Sequence, residues 1–127
     1  MRLRTAGWLI VGVVFVLTVS ACSSAGFDPT GNYSGTASQG GSTFPATASI
    51  TSTSTANQWA FSITTGGGTD TGTCTHNPAG SAGNLTCTFN YSSTGTVVFT
   101  GTLSNGTYAG TFTDTNAAGG TFTLNRS

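Results

Sequence analysis

From Gly31 onward apolar and polar residues alternate with a period of two, and no ten-residue stretch holds the 3.6-residue period of an amphipathic helix. The alternation predicts eight strands. The first, residues 31–38, sets Tyr33, Gly35 and Ala37 against Asn32, Ser34 and Thr36. The second, 44–53, sets Ala46, Ala48 and Ile50 against Thr47, Ser49 and Thr51, and the third, 58–64, alternates Trp59, Phe61 and Ile63 with Ala60 and Ser62. A fourth covers 69–76. A fifth, 84–91, aligns Leu85, Cys87, Phe89 and Tyr91 on one side, and a sixth, 95–103, turns Val97, Phe99 and Leu103 inward. The seventh carries Tyr108, Gly110 and Phe112, and the eighth Phe122 and Leu124.

The interruptions are turns. Gly66-Gly67-Gly68, Asn77-Pro78-Ala79-Gly80 and Asn105-Gly106 separate the runs, and Asn-Gly accepts the positive φ angles of a tight hairpin. Short strands joined by turn-length connections predict an all-β fold: a single antiparallel up-and-down barrel over residues 31–126, with a two-sheet sandwich as the alternative. Closure removes the exposed edges that this chain, with no Lys on any strand, has no charge to protect. The face opposite the apolar residues is Thr and Ser, whereas a membrane-spanning barrel needs an apolar outer band. Gly-Asn-Tyr-Ser-Gly-Thr at 31–36 echoes Gly-Thr-Tyr-Ala-Gly-Thr at 106–111, each placing an inward Tyr two residues before a Gly that relieves crowding.

Residues 1–30 follow a different pattern. Arg2 and Arg4 precede an uncharged run, and 8–19 is dominated by Leu, Val, Ile and Phe before Val19-Ser20-Ala21-Cys22. This segment resembles the lipobox signal of bacterial lipoproteins. The resemblance implies a signal helix over 1–21, cleavage between Ala21 and Cys22, and a diacylglyceryl group on the Cys22 sulfur. It also implies acylation of the freed amino group, with palmitate among the expected chains. The protein is then exported and held on the cell envelope, with 22–30 as lipidated Cys and tether ahead of the barrel. Ser23 after the cysteine resembles cargo sent to the outer membrane of Gram-negative cells. The competing reading, a retained spanning helix, needs about 20 apolar residues, and this run is shorter and contains Thr, Ser and two Gly.

Beyond the signal the charged side chains are Asp28, Asp70, Asp114 and Arg126, a formal charge of −2 with no Lys and no Glu. One Arg cannot neutralise a run of phosphates, so nucleic acid is excluded as a partner, as is attraction to anionic lipid head groups. With Cys22 lipidated, Cys74 and Cys87 remain as a pair in an oxidising compartment. Setting them opposite each other on adjacent strands makes Asn77 face Asn84 and leaves 78–83 as the loop, which predicts a disulfide. The alternative is a metal site of Cys74, His76 and Cys87, with Asp70 on the same parity as the fourth ligand.

His76 is the only histidine, and a general base needs an orienting carboxylate and a nucleophile that the pattern does not supply. No catalytic residue and no cofactor are expected. Tyr33, Trp59, Tyr91 and Tyr108 are the candidates to line an apolar ligand pocket inside the barrel, which in this respect resembles the small calycin barrels of the lipocalins. Against that, an eight-stranded barrel is just wide enough to be filled by its own side chains. Residues 99–126, a Gly-Thr-rich hairpin ending in Gly-Thr-Phe-Thr-Leu, resemble small lipoproteins of uncharacterised role. Thr30-Gly31 and Gly41-Ser42-Thr43-Phe44 are similar to the start of avidin-type proteins, without the tryptophans of a biotin cage. The expected function is therefore a non-catalytic structural or interaction role at the envelope. The partners are the membrane through Cys22 and an envelope protein or glycan. The alternatives are a carrier of a small apolar ligand and the metal site.

Overall fold

The structure, a computed structural model, describes residues 26–127. The signal helix and the lipidation site at Cys22 lie outside the described residues. Eight strands follow one another: β1 (Gly31–Gln39), β2 (Ser42–Ser52), β3 (Gln58–Thr65), β4 (Gly68–Thr75), β5 (Asn84–Asn90), β6 (Thr96–Ser104), β7 (Thr107–Asp114) and β8 (Ala117–Arg126). They form a closed barrel in sequence order, not a sandwich. β8 returns to β1 in antiparallel register from Tyr33↔Arg126 to Gln39↔Gly120, so every strand has two neighbours.

Parity decides which side chain goes where. Tyr33, Ala37, Ala46, Ala48, Ile50, Phe61, Ile63, Leu85, Phe89, Val97, Phe99, Tyr108, Phe112, Phe122 and Leu124 are buried in one cluster with both cysteines. Trp59 and Leu103 pack against it half-buried. Tyr91 departs from the expectation. β5 ends at Asn90, and Tyr91 lies past the last rung, 40 % exposed. The outer wall carries a row of hydroxyls paired from strand to strand: Thr75, Thr86, Thr100, Thr111, Thr121, Ser38 and Thr43. Threonine suits both tasks, since its branched Cβ favours a strand and its hydroxyl stays in water.

An aromatic stack fills the middle of the barrel. Phe99 lies 5.9 Å from Phe61, 4.9 Å from Phe122 and 5.3 Å from Phe112, and Phe122 is 4.7 Å from Tyr108, measured between ring centroids. Such rings fit because inward positions between them are glycines, an alternation of large and small that small barrels require. The glycines of the two echoed segments are the clearest cases. A Cβ on Gly35 would sit 1.9 Å from the Thr123 carbonyl oxygen, and one on Gly110 would sit 2.1 Å from that of Thr100. The Asn105-Gly106 turn also holds, with φ of 53° and 80° at its two central residues.

Two substitutions test this packing. Gly110→Ala should cost about 1–3 kcal/mol, because backbone must move to admit one methyl. Gly66→Ala, whose Cβ meets nothing within 4 Å, should leave the urea midpoint nearly unchanged. Equal midpoints for the two variants would contradict the close-approach account.

Candidate functional site

The two ends of the barrel differ. At one end the chain enters through residues 26–30, which dock instead of trailing free. Phe27 stacks on the His76 ring at 4.0 Å and 14° and meets Trp59 edge-on at 5.6 Å. Pro29 is fully buried, and its carbonyl accepts the Tyr33 hydroxyl. The guanidinium of Arg126 donates through Nη2 to the Asp28 carbonyl (2.8 Å) and to the Tyr33 hydroxyl oxygen (3.0 Å), and lies 5.5 Å from the Tyr33 ring centroid. The Asp28 carboxylate accepts from the Thr30 hydroxyl and amide, which hold its pKa below the usual value, with Arg126 adding to the effect. The segment expected as tether is thus, from Phe27 onward, part of the fold.

His76 belongs to this closed end. Its Nδ1 is 2.7 Å from the Asn84 carbonyl oxygen, and a carbonyl only accepts, so Nδ1 carries a proton. The Asn84 side chain accepts from the Asn77 amide (2.9 Å) and donates to the Asn77 carbonyl (2.7 Å), so an amide side chain extends the β4–β5 ladder where the expected pair would stand. One turn of the ladder inward, Cys74 opposes Cys87 and the two form a disulfide, fully buried, with Cα atoms 3.9 Å apart. The metal alternative needed both thiolates, and these are joined to each other.

Of the four residues expected to line an internal pocket, Tyr33 and Tyr108 are committed to the framework. The Tyr108 hydroxyl donates to the Leu85 carbonyl at 2.8 Å and approaches that of Phe99 at 3.3 Å; burial pushes its pKa well above the ordinary phenol value, with Tyr33 adding to the shift. Trp59 packs at the closed end. Tyr91 lines an opening at the far end.

There, a cavity of about 220 Å³ is lined by Ala37, Gln39, Phe44, Ile63, Thr65, Asp70, Phe89, Tyr91, Val97, Phe99, Phe112 and Asp114. The hairpins β1–β2, β3–β4, β5–β6 and β7–β8 all turn at this end, so the cavity is the open mouth of the barrel. Its floor is the top of the aromatic stack. Its rim is braced across strands: the Tyr91 hydroxyl donates to Asp114 Oδ1 (2.7 Å), as does the Asn116 amide (3.0 Å). The Asn116 amide first, and Tyr91 next, hold the Asp114 carboxyl below its ordinary range; in return Asp114 raises the pKa of the Tyr91 phenol. Asp70, opposite Ile63 in the register, faces the same mouth. By sequence, Asp70 is only a candidate metal ligand and Asp114 has no role; an up-and-down topology alone would have placed both at one end. Compared with protein-family models and with curated proteins, the chain matches none.

Two measurements follow from this geometry. Thiol labelling of denatured, unreduced protein should modify neither Cys74 nor Cys87, and reduction should cost about 2–4 kcal/mol while strand content at room temperature is kept. Two adducts before reduction would refute the bond. The second concerns Asp114. A carboxyl with a depressed folded pKa contributes stability that is complete above its ordinary value of 3.8 and is lost as pH falls through the lower folded value. The melting-temperature gap between wild type and Asp114→Asn should therefore be constant above about pH 5 and close under acid. A gap independent of pH would mean that the ionised carboxylate does not brace the rim.

Proposed function

We propose that this protein is a lipid-anchored, non-catalytic barrel of the bacterial cell envelope, held at its closed end and presenting its open mouth to the surroundings. The observation that carries the reading is the docking of Phe27 and Pro29 at the end opposite the mouth. An anchor at Cys22 has only five residue steps to reach Phe27, about 18 Å when fully extended. The closed end then faces the membrane and the mouth faces away from it. The outer wall of Thr and Ser offers no basic patch for lipid head groups, so the acyl chains supply the attachment.

The non-catalytic part rests on separation. His76 stands at the closed end, bonded to Asn84 and stacked on Phe27; the Asp28 carboxylate at that end is taken up by Thr30, and Asp70 and Asp114 line the mouth. Six residues of strand separate Asp70 from His76, about 20 Å. An imidazole and a carboxylate at that distance cannot share a proton. A carrier role has support only at the mouth. The aromatic stack occupies the space where a lipocalin-type ligand would lie, and the mouth holds about 220 Å³ against the roughly 300–1,000 Å³ of pockets for drug-sized ligands.

Substitution of Cys22 tests the anchor. Cys22→Ala should move the protein from the membrane fraction to the soluble fraction without altering its melting temperature, since two acyl chains hold a protein stably and the polar segment holds nothing. Retention of the variant after a carbonate wash would point to a spanning helix and end the lipoprotein reading.

A further inference from the structure

We propose that the mouth of the barrel binds a small organic cation, an amine or quaternary ammonium carried on an apolar body the size of one ring. The site is on the barrel itself, so the inference goes beyond the anchoring proposal and does not depend on it. Three observations converge. First, the charged side chains of the mouth are both carboxylates, Asp70 and Asp114. The one arginine among the described residues is engaged at the opposite end with Asp28 and Tyr33, and His76 is there too. The mouth therefore has negative charge without an internal counter-ion. Asp114 is bonded to Tyr91 and Asn116, while no hydrogen bond reaches the Asp70 carboxylate among the described residues.

Second, half of the remaining lining is aromatic, beside Ala37, Ile63, Val97, Gln39 and Thr65. Phe44, Phe89, Tyr91 and Phe112 surround the space, and Phe99 floors it. Aromatic faces carry negative potential and attract a cation within about 6 Å of the ring centroid; this is how quaternary ammonium groups are caged. Tyr91 is the one large apolar side chain exposed among the described residues, and its bond to Asp114 fixes the ring at the rim. Third, the volume suits a group of that size. An apolar cavity of about 150 Å³ admits benzene, so about 220 Å³ admits a ring with a short charged substituent.

Other ligand classes fit less well. A bare divalent cation takes six to eight oxygen ligands or keeps its waters, whereas two carboxylates over a floor of phenyl rings supply few, and Asp114 Oδ1 already accepts two hydrogen bonds. An anion meets two carboxylates. A neutral apolar molecule takes water from both carboxylates and gives neither a counter-charge.

The test is calorimetric titration of full-length protein in non-ionic detergent with benzylammonium, benzyltrimethylammonium, benzyl alcohol and benzoate. Both cations should bind at one site at least about tenfold more tightly than benzyl alcohol, and benzoate should not bind. Asp70→Asn with Asp114→Asn should weaken the cations at least about tenfold and leave benzyl alcohol unchanged, while Asp28→Asn at the closed end should change neither. Phe44→Leu should weaken benzyltrimethylammonium more than benzyl alcohol. Cations and benzyl alcohol binding alike to the unsubstituted protein would overturn the proposal whether or not the variants fold. So would displacement of benzylammonium by calcium at equal concentration. Because the protein is extracted from its membrane for these measurements, failure here leaves the result of the Cys22 substitution standing, and the reverse.

Discussion

The pairing of β8 with β1 is the constraint on which everything else rests. A strand edge is a row of unsatisfied amides and carbonyls, and soluble proteins defend it with lysine, proline or a bulge. This chain has no lysine, and its wall is neutral hydroxyl groups. Left open, the sheet would present one of its two edges to another copy. Closing Tyr33–Gln39 against Gly120–Arg126 removes both edges at once. The residues of the seam also do a second job. Arg126, on its last rung, reaches back to Asp28 and Tyr33 and holds the incoming segment. Closure of the wall and closure of one end share a residue.

Closure dictates the interior. Eight strands leave a lumen only as wide as facing side chains. The rings of Phe61, Phe99, Phe122 and Tyr108 fill it because Gly35, Gly110 and their neighbours let backbone carbonyls approach where a Cβ would collide. The disulfide lies against this packing between β4 and β5, whose register is the shortest in the barrel, spanning only Gly72↔Phe89 to Thr75↔Thr86. A covalent link is best placed where the ladder is thinnest, since fewer hydrogen bonds resist opening there. The amide of Asn84, which bonds both backbone groups of Asn77, lengthens the same seam by one rung.

Much of this was legible in the chain, for one physical reason. A strand exposes a side chain to the core at every second position, so a period of two in the sequence is a map of the interior. Strand count, inward residues, the Asn105-Gly106 turn and the Cys74–Cys87 pairing all follow from that map. It fails where strands stop. Tyr91 keeps the parity of Leu85, Cys87 and Phe89 but stands one residue past the end of β5, where no neighbouring strand holds it inward. It fails for Phe27 and Pro29 as well. They have no period, and only the position of Trp59 and His76 in three dimensions makes a place for them. The two carboxylates of the mouth are far apart in sequence, and only the up-and-down topology, which gathers alternate hairpins at one end, brings them to one cavity; the period of two alone does not show it.

The asymmetry of the two ends is then a consequence of chain direction and composition together. An even-stranded up-and-down barrel brings both termini to the same end, and here both are used to seal it: Phe27 and Pro29 from one side, Arg126 and Ser127 from the other. Any anchor attached upstream of Gly26 therefore acts on the sealed end. The opposite end is made only of tight hairpins and the short 91–95 loop, which are too small to cover it. The stack of rings stops below them, and the last inward positions of β1, β3, β4 and β7 fall to Gln39, Thr65, Asp70 and Asp114 instead of aromatics. A barrel built only to be rigid would gain by burying apolar side chains at those positions too. The Tyr91 hydroxyl and the Asn116 amide hold Asp114 there, and carboxylates at the rim of an aromatic floor favour a positively charged occupant.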